Sequence, residues 1–240
     1  MFKKISLMLT VCLLVLGTFT SCFASMGGPG EKIRIMCYGD SNTWGYIAGS
    51  ECERYGDGIR WTSVLQKELG EGFTVLEEGY NGRTTVWYDP IELRPSGFET
   101  LIPCLESCSP LDIVTIMLGT NDTKSYFSGN AANIALAAAT LVRTVMSCPY
   151  GPEYGTAPKV LLIAPPVIKD PDIKGMFDDE SVAISKQFSA EFSKQAEETG
   201  CCYLDAALLC EPDPRDGVHI TEESHLKLGR AVAEKIREML

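Results

Sequence analysis

A serine directly follows a short apolar segment near the start of this chain. Residues 33–38 predict a buried strand, and Gly39-Asp40-Ser41 then predicts a tight turn. Ligands of open α/β sheets bind at the carboxyl ends of the strands, which is where this turn places the Ser41 hydroxyl. Ser41 is therefore a candidate nucleophile. A nucleophilic serine also needs a general base and donors for a developing oxyanion.

One of the two histidines has an acidic partner at a suitable spacing. Asp216 precedes His219 by three residues, so its carboxylate can turn back to the imidazole Nδ1. Such a bond fixes the tautomer and leaves Nε2 to take the serine proton. His225 has no such partner in its predicted helix, and we interpret it as a structural or surface residue.

Two further polar turns follow the next two predicted strands. Gly82 lies in the turn 79–85, and Asn121 lies in the turn 119–122. Because the carboxyl ends of parallel strands share one edge, we expect these turns to converge on Ser41. The predicted oxyanion donors are the Ser41 N–H, the Gly82 N–H and the Asn121 side-chain amide. A glycine at position 82 lets the backbone approach a substrate without a Cβ in the way.

The elements that must position these residues alternate along the chain. Predicted strands cover residues 33–38, 73–78, 112–118, 159–164 and 201–204. Predicted helices cover residues 61–69, 98–107, 131–146, 179–199 and 221–240. This alternation predicts an α/β fold in which helices cover both faces of a five-stranded parallel sheet. We see no repeat and no second domain, and expect a single domain over residues 32–240.

Composition limits the partners and cofactors of the chain. The 240 residues include 21 basic and 32 acidic ones, a formal net charge of -11. Lys and Arg are not clustered, which argues against nucleic acid as a partner. Cys104 and Cys108 share a predicted helical face, but the chain has two histidines and no Cys-x-x-Cys. We therefore predict no metal site, and we also predict no cofactor.

The N-terminal residues are typical of an export signal. Lys3 and Lys4 precede the largely apolar stretch 5–19, and small residues follow. Two positions remain open for the end of this signal. Cleavage after Ala24 would give a soluble exported protein, whereas a lipobox-like Phe19-Thr20-Ser21-Cys22 would make Cys22 a lipid anchor.

The leader and its surroundings set the expected location. We expect a signal peptide or lipoprotein leader over residues 1–24 and a flexible tether over residues 25–31. The mature protein is then periplasmic, secreted or an outer-surface lipoprotein of a bacterium.

Together these motifs resemble the SGNH (GDSL-type) hydrolase superfamily. The matching blocks are Gly39-Asp40-Ser41, Gly82, Gly119-Thr120-Asn121-Asp122 and Asp216-Gly217-Val218-His219. The continuation Asn42-Thr43-Trp44-Gly45 is similar to the bacterial arylesterase/acyltransferase branch. The resemblance implies a flavodoxin-like, three-layer α/β/α fold. It also implies Ser41 as nucleophile, His219 as base, Asp216 as its orienter, and Ser41, Gly82 and Asn121 as the oxyanion hole.

The resemblance implies a serine ester hydrolase for short-chain acyl esters that works through an acyl-enzyme, with possible acyl transfer to alcohols. The expected partner is a small-molecule or glycan ester, and a homo-oligomer is a further expectation. We predict that Asp40, Trp44 and Pro165 bind substrate, with core packing an equal alternative for Trp44. Two other functions remain open: a carbohydrate O-deacetylase of the same fold, and a non-catalytic glycan-binding surface lipoprotein.

Overall fold

The computed structural model describes residues 31–153, 155–173 and 175–240. The predicted leader (1–24), including Cys22, lies outside the described residues. So does the predicted tether (25–31) except for Glu31. Within the described residues, no helix combines the length and the apolar composition that crossing a membrane requires.

Five short strands form one parallel sheet. They are β1 (Ile33–Gly39), β2 (Phe73–Gly79), β3 (Ile113–Met117), β4 (Lys159–Ala164) and β5 (Cys202–Asp205). The strand order is β2-β1-β3-β4-β5, and each neighbouring pair runs parallel. Because all strands point the same way, the turns that follow β1, β2 and β3 lie side by side at one edge.

Helices cover both faces of this sheet. They are α1 (Ser41–Trp44), α2 (Trp61–Leu69), α3 (Gly97–Cys108), α4 (Ala131–Met146), α5 (Asp179–Ser185), α6 (Phe188–Thr199) and α7 (Glu222–Met239). Met36 and Tyr38 of β1 pack in the same core cluster as α3, α4 and α6. Ile35 and Cys37 point the other way and pack with α2 and α7. The predicted three-layer α/β/α fold with a five-stranded parallel sheet is confirmed.

The predicted single helix over residues 179–199 is wrong, because the structure has two helices there. α5 ends at Ser185 and α6 begins at Phe188. Ser185 Oγ donates to the Val182 carbonyl at 3.0 Å and accepts from Ile168 N at 3.1 Å. The side chain thus ties the end of α5 to the loop that follows β4, and such local bonds compete with continued helix.

Candidate active site

Ser41 occupies the first position of a one-turn helix at the end of β1. The preceding Asp40 caps this helix, because its carboxylate accepts from Asn42 N at 2.9 Å. The Asp40 carbonyl accepts from Trp44 N at 2.9 Å and closes the turn. Ser41 is 7% exposed, so its hydroxyl lies at the carboxyl edge of the sheet with little contact to solvent.

Two glycines let α1 lie directly on the strand ends. A Cβ on Gly79 would lie 2.2 Å from Trp44 N, and a Cβ on Gly39 would lie 2.1 Å from Thr43 Oγ1. A side chain at either position would push the helix away from the sheet. The placement of Ser41 therefore depends on the absence of a Cβ at both positions.

The structure brings the predicted base and its acidic partner to Ser41. His219 Nε2 lies 3.0 Å from Ser41 Oγ, and His219 Nδ1 lies 2.7 Å from Asp216 Oδ2. The other Asp216 oxygen accepts from the backbone N–H groups of Val218 and His219, each at 2.9 Å. All three side chains are buried. The chain of contacts joins a hydroxyl, an imidazole and a carboxylate, which can pass a proton from the first to the second.

The surroundings of Asp216 favour its charged form. Burial alone would raise the pKa of this carboxyl, but the bonds to the His219 ring and to two backbone N–H groups outweigh it. The pKa of Asp216 is therefore held below its ordinary value. A carboxylate that stays ionised stabilises an imidazolium at His219.

The two histidines have different surroundings. The ring of Tyr46 stacks on His219 with centroids 4.3 Å apart and planes inclined by 22°. His225 is fully buried, and its Nδ1 accepts from Trp61 N at 3.2 Å. Burial lowers the pKa of His225 to about 3, so this ring stays neutral and serves packing. The sequence does not reveal the contact of Tyr46 with His219, because the only indication is that Tyr46 lies five residues after Ser41.

The turns after β2 and β3 are tied to each other. Asn121 begins a 3-10 turn (Asn121–Thr123), and its side-chain amide donates to the Arg83 carbonyl at 3.1 Å. The Asp122 carboxylate accepts from Thr85 N at 2.9 Å and from Thr85 Oγ1 at 2.5 Å. Asn121 is therefore held against the turn that contains Gly82. The structure places the predicted oxyanion donors in turns after three neighbouring strands, β2, β1 and β3.

The three residues predicted to bind substrate occupy different environments. Asp40 is buried, and its burial raises the pKa of the carboxyl to about 6 against the opposing bond from Asn42 N. Trp44 is half-buried, with the Arg54 guanidinium 5.2 Å from its ring centroid. Pro165 is buried directly after β4. Substrate contact by these residues stays a prediction.

A buried ionic cluster beside the site was not predicted. Lys124 is 1% exposed, and its ammonium lies 2.9 Å from Asp89 Oδ2 and also pairs with Glu92. Tyr126 donates its hydroxyl to the same Asp89 oxygen at 2.8 Å. Glu92 Oε2 is 3.0 Å from the position of a Cβ on Gly82, so the cluster borders the turn after β2. The paired residues are more than 30 positions apart, so no local pattern could reveal them.

Comparisons with known proteins agree with this geometry. The chain matches the GDSL-like lipase/acylhydrolase family over residues 37–227. The solved structure of Est24, a carbohydrate acetylesterase from Sinorhizobium meliloti, is 37% identical with a TM-score of 0.83, covering 87% of this chain and 100% of that one. The aryl esterase of M. smegmatis is 38% identical with a TM-score of 0.82 and the same coverage.

A carbohydrate acetylesterase family member from Sinorhizobium meliloti is 32% identical with a TM-score of 0.81, covering 87% of this chain and 99% of that one. No curated protein sequence matches the chain.

A parallel α/β/α sheet with these turns at its carboxyl edge defines an SGNH-type hydrolase. The chain belongs to the GDSL-like lipase/acylhydrolase family, which confirms the resemblance drawn from its motifs. It is a carboxylic ester hydrolase. Membership of this enzyme class argues against the alternative of a non-catalytic glycan-binding lipoprotein.

Proposed function

We propose that the chain hydrolyses short-chain acyl esters through an acyl-enzyme on Ser41. The observation that carries the proposal is the continuous contact from Ser41 Oγ through the His219 ring to the Asp216 carboxylate, with separations of 3.0 and 2.7 Å. Both separations lie within the range needed for a nucleophile, its base and the group that orients the base.

In the first half-reaction, Ser41 Oγ attacks the ester carbonyl carbon, and its proton passes to His219 Nε2. The carbonyl oxygen becomes an oxyanion, for which we propose the Ser41 N–H, the Gly82 N–H and the Asn121 amide as donors. His219 then returns its proton to the leaving alkoxide, the carbon–oxygen bond breaks, and the acyl group stays on Ser41. Asp216 stays ionised and stabilises the imidazolium.

In the second half-reaction, a water molecule gives its proton to His219 Nε2 and attacks the acyl carbon. Collapse of the tetrahedral intermediate breaks the bond to Ser41 Oγ, which recovers its proton from His219. A carboxylic acid leaves. An alcohol that replaced the water would instead leave with the acyl group, which is the acyl-transfer activity that the family resemblance implies.

Replacing Ser41 with Ala tests this proposal directly. With p-nitrophenyl acetate as substrate, we expect kcat to fall by at least about 10³-fold, because the nucleophile of a triad is lost. Ser107→Ala is the matched control, since Ser107 is exposed on α3, and its kcat should equal that of the parent. A folded Ser41→Ala protein with parental turnover would disprove the assignment.

A carbohydrate O-deacetylase is the second candidate. It is favoured because two similar solved structures, both from Sinorhizobium meliloti, are described as carbohydrate acetylesterases. The chemistry at Ser41 would be unchanged, with acetate as the acyl group and a sugar as the alcohol. Acetate release from acetylated xylan, pectin or sialic acid, measured as kcat/KM beside p-nitrophenyl acetate, separates the candidates. Hydrolysis of aryl and alkyl esters alone would reject the sugar ester as substrate.

A further inference from the structure

Arg83 lies in the turn after β2 and contacts the ends of both neighbouring strands. Its guanidinium Nη1 donates to the Gly39 carbonyl at 2.9 Å, at the end of β1, and to the Glu78 carbonyl at 2.5 Å, in β2. Its own carbonyl accepts from the Asn121 side-chain amide at 3.1 Å. One residue thus joins the strand that precedes the nucleophile to the turns after β2 and β3.

The side chain of Arg83 is a buried cation held by carbonyl groups and aromatic rings. Arg83 is 4% exposed, and its guanidinium carbon lies 4.2 Å from the ring centroid of Tyr38 and 5.4 Å from that of Tyr80. Its Nε has no partner among the described residues. Attraction to the rings and the bonds to two carbonyls offset the cost of burying this charge. The guanidinium is therefore fixed against the strand ends to which it is bound.

The backbone of Arg83 shapes the turn that contains Gly82. Arg83 N donates to the Tyr80 carbonyl at 3.1 Å, which closes the turn around Gly82 at its φ of +77°. Tyr80 N donates at 3.1 Å to the Gly39 carbonyl, the same oxygen that the guanidinium binds. The Asn121 amide nitrogen carries two hydrogens. The Arg83 carbonyl takes one of them and leaves the other for a substrate oxyanion.

We propose that Arg83 is a positioning residue that fixes two of the proposed oxyanion donors relative to Ser41. These donors are the Gly82 N–H and the Asn121 amide. The inference rests on the proposed function and deepens it, because it names the group that holds the donors in place. Arg83 acts through them rather than on the substrate, since its guanidinium binds backbone carbonyls. Without the guanidinium, the turn after β2 loses its side-chain attachment to β1, and both donors move with it.

Replacing Arg83 with Met in the full chain removes the guanidinium and keeps an unbranched side chain. With p-nitrophenyl acetate we expect kcat to fall about 10²-fold, since a displacement near 1 Å can cost that much. KM should change less than about threefold, because the donors act on an oxyanion that forms only in the transition state. Labelling of Ser41 to completion with a fluorophosphonate counts the folded sites, so that kcat is expressed per labelled site.

Arg34→Met is the matched control, because Arg34 makes the same type of contact at the opposite end of β1. Its Nε donates to the Pro110 carbonyl and its Nη2 to the Cys108 carbonyl, both at 2.9 Å. This variant also removes a guanidinium from two backbone carbonyls, but it leaves the carboxyl edge of the sheet intact. Its kcat per labelled site should equal that of the parent.

A double-mutant cycle with Asn121 tests whether Arg83 acts through the donors. One donor is already missing in Asn121→Ala, so adding Arg83→Met should lower kcat by a factor at least about threefold smaller than the factor in the parent. A general loss of stability would instead lower kcat by the same factor in both backgrounds.

Parental kcat per labelled site in folded Arg83→Met would overturn the inference, as would equal factors in the two backgrounds or an equal loss in Arg34→Met. If Arg83→Met does not fold, Arg83→Lys replaces it in both measurements. Lysine keeps the charge but not the planar guanidinium, so we expect kcat to fall about tenfold, and parental kcat would again overturn the inference.

The two proposals can fail separately. Parental activity in Ser41→Ala defeats the proposed function, whereas an inactive Ser41→Ala with parental Arg83 variants defeats only the positioning role.

Discussion

Gly217 lies between the two residues proposed as base and orienter, and replacing it with Ala should damage both stability and catalysis. Its φ angle is +70°, and a Cβ built there would lie 1.9 Å from the Lys169 carbonyl oxygen and 2.8 Å from the Asp170 carbonyl oxygen. The left-handed conformation costs an alanine about 1–2 kcal/mol. The overlap adds about 1–3 kcal/mol, typical of overpacking. The free energy of unfolding should therefore fall by about 2–5 kcal/mol.

The effect on catalysis follows from where the loop must move. The Gly217 carbonyl already accepts from Lys169 N at 2.9 Å, so the two segments are in direct backbone contact. Lengthening a 1.9 Å contact to an ordinary one requires a displacement of about 1 Å or more, and Asp216 and His219 belong to the displaced segment. A shift of that size can lower kcat about 10²-fold.

The variant Gly200→Ala separates the free-energy cost of backbone strain at a positive φ from the cost of steric overlap. Gly200 ends α6 with a φ of +73°, but within the described residues no heavy atom beyond its immediate chain neighbours lies within 4 Å of its Cβ position. This control should lose only about 1–2 kcal/mol and keep the parental kcat. Urea unfolding gives the stability, and p-nitrophenyl acetate gives kcat. If Gly217→Ala and Gly200→Ala are indistinguishable in both measurements, the steric argument is wrong.

Two further predictions concern buried charges. Lys124→Met should lower the free energy of unfolding by about 3–5 kcal/mol, because Asp89 is left buried without its cation. Lys169→Met, which breaks an exposed pair with Glu211, should cost less than about 1 kcal/mol, and equal losses in urea unfolding would contradict the argument. Burial raises the pKa of Asp122 to about 6 from 3.8, so the folded state holds this proton more tightly and loses stability as the pH rises through that window. Asp122→Asn removes the titration, and its stability relative to the parent should rise by up to about 3 kcal/mol between pH 4 and pH 7. A difference that does not vary with pH would refute this.

The parts of the fold that depend on local pattern were predictable. The helix 131–146 and the strand 159–164 have the predicted bounds, because each is an uninterrupted apolar or alanine-rich segment between clear turn residues. The contact between Asp216 and His219 depends on a spacing of three residues, which the sequence states directly. Strand polarity then brings Ser41 to the same edge of the sheet.

The features that escaped prediction depend on distant contacts. The break between α5 and α6 is invisible in the hydrophobic period, because Ile184, Phe188, Phe192 and Ala196 keep a spacing of four across it and are all buried. The break is associated with the bond of Ser185 to Ile168, 17 residues earlier. Likewise, Asn42 Oδ1 accepts from Ile220 N, which lies 178 residues further along the chain, so this contact depends on how the last loop folds back onto α1.

Electrostatics explains why one acid among several near Ser41 is suited to orient His219. Asp40 and Asp122 are also buried beside the site, and burial raises the pKa of both carboxyls to about 6. Asp216 differs because an imidazole and two backbone N–H groups converge on it, and their bonds outweigh burial and lower its pKa. An imidazolium formed during ester attack needs a partner that is already charged. Of these three buried acids, Asp216 is the one whose carboxylate contacts the His219 ring and whose pKa is lowered by the hydrogen bonds of the folded loop.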